Sequence, residues 1–453
     1  MGVSWPADSR TRALAEELYR SVAARPLVSV HNGLPARYLA EDLPFIDPLS
    51  LVVSHDQGIQ GLLRAHGVRA EFSPVEGWLT EASRQAFALV WDHLAAAQTQ
   101  PWMAVGGDQI TFVTGLPPFH TTERGEDVYD ALAARMRAEP VYPRRLLPGA
   151  DLARFATSDD PADDLQSHSI LAEDPTWAGR VVPTFSPDRY LEPDRPGWRT
   201  DAELLAEITG IDTEDLNGFL AALRHRRTFF LAHGATMSEH HVSDVGVARL
   251  PDREAAQLYR LARSAELLPA EALALQRHLL WESGAMSAED GLVMALYPPA
   301  GFRAANRPAA GDAGVTDRIR PLLTDFGPRS GFRVWLFSID VDSYIEEIVP
   351  VAAAEQPALT AVPPTRFADD PDRLRAARAA AVRSVGAAGS LGLVDDMSGP
   401  FVLARRHDLA RRLDAGALAE LVVTGELSET DAYAELSAAL DRSILEPPVG
   451  PAV

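Results

Sequence analysis

Residues that could bind a metal or move a proton stand where short apolar runs of the chain end. His31 closes the first run, His240 and His241 follow the fourth, Tyr297 closes the fifth, and Asp396 follows the last. A histidine on the first strand and an aspartate on the last become neighbours when a sheet closes into a barrel. Together they can bind a metal ion or act as an acid and base pair. The spacing therefore indicates metal or proton-transfer chemistry at the carboxyl ends of strands.

Each of these residues has a plainer explanation when it is taken alone. A single histidine such as His31 is more often a hydrogen-bonded structural residue than a ligand, and the pair after the fourth run could simply lie in a loop. A tyrosine at a strand end packs more often than it reacts. Asp160 stands before a proline in a helix start and is expected to be an N-cap. Arg411 is expected on a solvated or ion-paired helix surface.

Eight apolar runs predict the strands that would carry these residues: 27–31, 153–157, 180–185, 229–237, 292–297, 333–340, 358–362 and 391–395. Helical patterns with three- and four-residue spacing lie between them, clearest in 82–98, 252–283, 371–385 and 405–422. This alternation predicts an α/β protein with a (β/α)8 barrel, and a doubly wound open sheet is the alternative. No G-x-G-x-x-G motif follows the first run, which argues against a dinucleotide fold and a nucleotide cofactor.

The stretch between the first two predicted strands is long and mostly helical in pattern. We expect residues 47–149 to be a helical insertion carried by the barrel, so that residues 1–453 make a single barrel domain. The tail is expected to fray, and no internal repeat or low-complexity linker divides the chain.

Composition excludes several classes of chemistry. The 453 residues carry a net charge of −22, which disfavours binding to nucleic acid. All 42 basic residues are arginine and cysteine is absent, so there can be no lysine Schiff base, no pyridoxal phosphate chemistry and no thiolate. No apolar run approaches the roughly 20 residues of a membrane span. Charges near the N-terminus argue against a signal peptide, so we expect a cytoplasmic protein that acts on a small molecule.

Seven segments of the chain form a collinear set of motifs. They are Val28–His31, Pro44-Phe-Ile-Asp47, Phe155-Ala-Thr-Ser-Asp-Asp-Pro-Ala-Asp-Asp-Leu165 with His168, Arg180-Val-Val-Pro-Thr-Phe-Ser-Pro-Asp188, Gly234-Ala-Thr-Met-Ser-Glu-His240, Gly331-Phe-Arg-Val-Trp-Leu-Phe-Ser-Ile-Asp340 and Arg406-His-Asp-Leu-Ala-Arg-Arg412. In this order they resemble uronate (glucuronate) isomerase, a family of the amidohydrolase superfamily. The resemblance covers nearly the whole chain. It implies a distorted (β/α)8 barrel with a helical insertion after the first strand.

The resemblance also implies a reaction and the residues that perform it. The family interconverts an aldose and a ketose sugar acid by moving a proton between C2 and C1. It uses one divalent metal ion, Zn²⁺ or Mn²⁺, bound by a His-x-His on the first strand and an aspartate after the last. His31 and Asp396 match these ligands, and His240 could supply a third. Asp396 is then base or ligand, His31 is ligand or acid, and Tyr297 is a proton donor to the substrate oxygen.

Substrate contacts are implied for His240, His241 and Arg303, and a homo-oligomer is expected because relatives are often oligomeric. The chain departs from the family at strand ends. Gly33 replaces the second histidine of the first strand, Ser186 and Ser398 replace two substrate arginines, and Tyr297 takes the place of a fifth-strand histidine. Each lost arginine removes a charge-assisted bond worth roughly 1.5–3 kcal/mol. Two further readings therefore stay open: a barrel enzyme with new lyase, epimerase or hydrolase chemistry, and a non-catalytic binding or scaffold protein.

Overall fold

A single parallel sheet forms the centre of the molecule. The computed structural model describes residues 5–32, 34–52, 81–96, 124–146, 152–299, 314–338, 340–364, 371–392 and 403–442. Seven strands follow one another across the sheet in chain order: β1 (Leu27–Asn32), β2 (Leu152–Asp159), β3 (Arg180–Phe185), β4 (Met237–His240), β5 (Val293–Leu296), β6 (Val334–Phe337) and β7 (Leu359–Val362). Ser390 adds an eighth position through a parallel bridge to Ala361. Residues 393–395 of the predicted eighth strand lie outside the described residues.

Helices connect successive strands, as the alternating pattern predicts. They are α1 (Ser9–Val22), α2 (Ala36–Glu41), α3 (Pro48–Val52), α4 (Glu81–Ala96), α5 (Gly125–Ala138), α6 (Pro143–Leu146), α7 (Gln166–Glu173), α8 (Asp188–Leu191), α9 (Trp198–Thr209), α10 (Leu216–Ala232), α11 (Asp252–Ser264), α12 (Pro269–Asp290), α13 (Val315–Phe326), α14 (Val341–Ser343), a π-helical turn (Tyr344–Ile348), α15 (Val349–Ala354), α16 (Pro371–Gly389), α17 (Leu403–Val423) and α18 (Glu429–Arg442). Among the described helices, none is both long and apolar enough to cross a membrane.

The sheet curls until its first strand meets its last ones. One buried cluster, here called the inner plug, joins residues of β1 to residues of β4 through β7 and of the eighth position: Val28, Val30, Met237, Val293, Ala295, Trp335, Phe337, Val362 and Leu391. Alternate residues of the same strands, such as Leu296, Leu336 and Leu359, belong to a second cluster that the helices cover. Burial on both faces explains why these strands are almost continuously apolar. The predicted distorted (β/α)8 barrel is confirmed.

The boundary before β4 differs from the sequence prediction. Phe229 to Ala232 form the last turn of α10 instead of a strand, and β4 starts only at Met237. A short apolar run has the same composition in a buried helix and in a buried strand, so periodicity alone cannot separate them. Gly234 then turns the chain with φ +88°, a value that favours glycine, and so divides the helix from the strand.

Most of the described residues between β1 and β2 are helical. Helices α2 to α6 all lie in this stretch. Helices α4 and α5 pack so closely that a Cβ added to Gly125 would lie only 2.6 Å from the Cα of Ala88. Phe87 stacks on Trp91 and meets the edge of Tyr129, with ring centroids 5.9 and 5.5 Å away. That residues 47–149 are an insertion within a single domain stays a prediction.

Candidate active site

The register of the sheet decides which strand-end residues face the inside of the barrel. Glu239 lies opposite Ala295 in the β4–β5 pairing, and Ala295 belongs to the inner plug. His240 lies opposite Leu296, which belongs to the outer cluster. Residues paired in register share a face of the sheet, and successive residues alternate. Glu239 therefore points into the barrel at its carboxyl end, and His240 points toward the surrounding helices.

A buried carboxylate stands above the inner plug. Glu239 is fully buried, and its Oε1 accepts a hydrogen bond from the hydroxyl of Ser158, on the inner face of β2. The bond spans β3, which lies between the two strands. A carboxylate taken out of water needs such donors to remain in place. The pair puts a hydrogen-bond acceptor near the centre of the barrel opening.

A second carboxylate faces a histidine beside this pair. Asp188 begins α8, directly after β3, and its Oδ2 accepts the backbone N–H of His241 at 3.0 Å. The same oxygen lies 3.5 Å from Nδ1 of the His241 ring. Burial raises the pKa of Asp188, the bonds from His241 oppose that shift, and the charge of Glu239 adds to it. Among the described residues, none donates a hydrogen bond to the other oxygen of Asp188.

Three rings stack across the ends of β4, β5 and β6. The His241 and Tyr297 rings are 4.0 Å apart and 14° from parallel. The Tyr297 and Phe337 rings are 3.9 Å apart and 23° from parallel. With both faces covered, the tyrosine ring is held in one plane, and its hydroxyl oxygen is buried. His241 keeps 31% of its side chain exposed, so the stack borders the opening of the barrel. We call Ser158, Asp188, Glu239, His241 and Tyr297 the mouth cluster.

His240 lies on the other side of β4. It is fully buried, and neither ring nitrogen has a hydrogen-bond partner among the described residues. Burial, helped by the charge of Arg227, lowers the pKa of His240 to about 3, so the ring is neutral. The strand backbone separates it from the mouth cluster. Its predicted roles in metal and substrate binding stay predictions, and its place on the outer face weighs against them.

A buried polar network joins β2 to α7 on the outer face. The Thr157 hydroxyl donates to Asp159 at 2.6 Å, and its oxygen lies 2.8 Å from Nε2 of His168. Burial raises the pKa of Asp159 to about 8, despite the hydrogen bond from Thr157, and lowers the pKa of His168 to about 4. Both groups are therefore neutral near pH 7. The sequence gave no sign that these three side chains meet, because the start of α7 separates His168 from Thr157 and Asp159.

Other predicted site residues lie partly or wholly outside the described residues. His31 is placed by its backbone at the end of β1, and its side chain is not described; Asp396 and Arg303 lie in segments that are not described. Arg189, close in sequence to the lost arginine at Ser186, does not take its place. Its guanidinium pairs with Asp160 at 2.9 Å and Asp201 at 3.3 Å.

The described residues do not assemble the predicted metal site. Within the part of the chain that the structure describes, no group of three or more histidine, aspartate or glutamate side chains is arranged to hold a metal ion. His240, one of the three predicted ligands, faces away from the barrel opening. A metal at the ends of β1 and the eighth strand would depend on His31 and Asp396.

The chain is similar to known proteins over nearly its full length. Residues 9–315 match the family model described as glucuronate isomerase. A uronate isomerase of Cutibacterium acnes is 34% identical over 443 residues, which cover 94% of this chain and 93% of that protein. A uronate isomerase of Corynebacterium efficiens is 32% identical over 454 residues, covering 97% and 96%.

A solved structure has the same architecture. The crystal structure of glucuronate isomerase from Caulobacter crescentus superposes with a TM-score of 0.80 at 25% sequence identity. The alignment covers 99% of this chain and 98% of that one. Sequence and architecture thus agree along the whole chain, from the first helix to the last.

Proposed function

This chain belongs to the uronate isomerase family, and from that membership we propose that it interconverts the aldose and ketose forms of a uronate at the barrel mouth. The observation that carries the proposal is the full-length match at 34% identity. The position of the mouth cluster supports it, because enzymes with this fold place their chemistry at the carboxyl ends of the strands.

The reaction needs proton transfers and no external oxidant. A base removes the proton from C2 of the open-chain aldose, and a proton is delivered to C1. The C2 hydroxyl loses its proton as the ketone forms, and the former aldehyde oxygen gains one, so atoms and charge balance. We assign the base to Asp396 and the acid to His31. Tyr297 donates a hydrogen bond to the substrate oxygen that changes charge, from a ring already held in place by its stack.

The charges of the mouth cluster orient the substrate. Glu239 and Asp188 are hydrogen-bond acceptors for sugar hydroxyls, and they repel a substrate carboxylate. We therefore place the hydroxyl-bearing carbons against the ends of β2 to β5 and the substrate carboxylate away from them. Arg303, which follows β5 in the sequence, is the proposed partner of that carboxylate.

Two further properties belong to the proposal. The family resemblance supports a homo-oligomer, which light scattering on the purified protein would measure. It is also proposed to be a cytoplasmic enzyme, and fractionation of the producing cells tests that placement.

Ketose formation from glucuronate and galacturonate tests the function directly. Purified protein supplied with Zn²⁺ or Mn²⁺ is expected to turn over at least one of them, and Asp396→Asn is expected to lower kcat by at least about 100-fold because a base is lost. Metal content of both proteins, measured by mass spectrometry, shows whether Asp396 also binds an ion. A folded, metal-loaded wild type without turnover would contradict the proposal and favour a different barrel chemistry. Full activity of Asp396→Asn would remove Asp396 from the mechanism.

A further inference from the structure

A buried ion pair lies directly outside the eighth strand position. Arg378 of α16 is 2% exposed and Asp414 of α17 is 4% exposed. The guanidinium Nε donates to Asp414 Oδ1 at 2.7 Å. Taking two charges out of water is costly, and such pairs contribute little net stability compared with apolar side chains. The pair therefore calls for an explanation other than stability.

The same guanidinium holds the backbone of the eighth strand position. Nη1 of Arg378 donates to the carbonyl of Leu391 at 2.6 Å and to the hydroxyl of Ser390 at 3.2 Å. From the other edge, the Leu391 N–H donates to the carbonyl of Ala361 in β7 at 3.2 Å. The planar guanidinium can make these bonds and the bond to Asp414 together, because its donors form a rigid fork.

Packing limits the freedom of this segment further. The Leu391 side chain belongs to the inner plug, so it cannot turn outward without opening the core. A Cβ on Gly392 would lie 2.8 Å from Oδ2 of Asp414, so the carboxylate lies directly against the glycine backbone. The position of residues 390–392 is thus set from the inner face, the outer face and one edge.

We propose that the Arg378–Asp414 pair is a positioning device for residues 390–392, from which the chain continues toward the proposed base. Asp396 follows Gly392 by four residues in the sequence, so a shift of the backbone at residues 390–392 is carried to Asp396. The inference rests on the proposed function for the role of Asp396. It assigns to Arg378 and Asp414 a part in catalysis although neither belongs to the mouth cluster.

The test is the double variant Arg378→Met with Asp414→Asn in the full-length protein. Removing both charges leaves no unpaired ion in the core, so the protein is expected to fold. We expect kcat for glucuronate to fall by about 100-fold with little change in KM, because the reacting groups are misplaced while most substrate contacts remain. Hydrogen exchange is expected to rise in peptides covering residues 390–402 and to stay unchanged elsewhere. A purely structural pair would instead loosen α16 and α17 and leave kcat intact.

The matched control is Arg383→Met with Glu426→Gln, which removes an exposed ion pair anchored on the same helix. It is expected to keep wild-type kcat and exchange. If the double variant does not fold, Ser390→Ala serves as the test in its place. It removes one of the bonds to Arg378 without changing a charge, and we expect a smaller loss of kcat in the same direction. Wild-type kcat, or unchanged exchange at residues 390–402, in a folded double variant would overturn the inference. If the wild type lacks isomerase activity, the proposed function fails, and the exchange experiment still decides whether the pair positions residues 390–402.

Discussion

At the scale of single residues, the role of Tyr297 depends on the two rings that pack against its faces. Its ring lies between His241 and Phe337, and this stack fixes the position of its buried hydroxyl. Tyr297→Phe keeps the stack and removes only that hydroxyl. We expect kcat to fall by roughly 100-fold with no change in melting temperature, since a positioned proton or hydrogen-bond donor contributes about this much.

Steady-state kinetics and thermal unfolding of Tyr297→Phe check this. Tyr433→Phe, which removes a hydroxyl on α18, is the control and should behave as wild type. Wild-type kcat in Tyr297→Phe would restrict Tyr297 to packing.

The buried carboxyl group of Asp159 leads to a prediction about how the free energy of unfolding depends on pH. Burial raises its pKa to about 8 in the folded protein, whereas an unfolded aspartate has its ordinary pKa of 3.8. Between these values the folded state holds a proton that the unfolded state has lost. The free energy of unfolding should therefore fall as pH rises through this window, by up to about 1.4 kcal/mol per pH unit. Below pH 4 both states are protonated and the effect vanishes.

Asp159→Asn keeps the shape and cannot ionise, so urea unfolding from pH 6 to 8 should show a weaker decline with pH than wild type. Asp194→Asn, at an exposed position after α8, is the comparison. Parallel curves for wild type and Asp159→Asn would show that Asp159 is ionised in the folded protein.

At the scale of secondary structure elements, α17 holds the turn that leads from α1 into β1. Arg411, expected on a helix surface, is only 5% exposed. Its guanidinium donates to the carbonyls of Ala23, Arg25 and Pro26 at 2.8 to 3.0 Å, in the turn that joins α1 to β1. The helical pattern could not place Arg411, because its partners are more than 380 residues away along the chain.

Arg411→Met is therefore expected to lower the free energy of unfolding by about 2 kcal/mol or more, because buried carbonyls lose a charged donor. Urea denaturation measures this. Arg320→Met, which breaks an exposed pair with Asp317, should cost about 1 kcal/mol at most. Equal effects of the two substitutions would contradict the role given to Arg411.

At the scale of the whole molecule, closure of the sheet is what creates a site. The inner plug joins β1 to β6, β7 and Leu391, so the first and last strands share one core. The helices between strands only cover the outside. The mouth cluster takes its members from β2, β4 and the segments after β3, β4 and β5, and no two neighbouring elements alone would make it.

Much of this architecture follows from local pattern. Short apolar runs separated by amphipathic helices predict parallel strands, since strand and helix periods are set by backbone geometry within a few residues. The order of the strands and the barrel follow from that alternation, and the family follows from collinear segments. Phe229 marks the limit, because its apolar run suits a buried helix as well as a strand.

The tertiary structure alone decided which strand-end residues meet. The sequence offers Glu239, His240 and His241 side by side. The register to β5 turns Glu239 inward and His240 outward, and contacts with Asp188 and Tyr297 hold His241 at the mouth. The sequence does not show that Asp188 reaches His241, or that Arg378 holds Leu391. Contacts of this kind depend on how far the sheet curls and on where distant helices dock. Those are properties of the packed core as a whole, whereas the period of a strand or helix is set locally by its own residues.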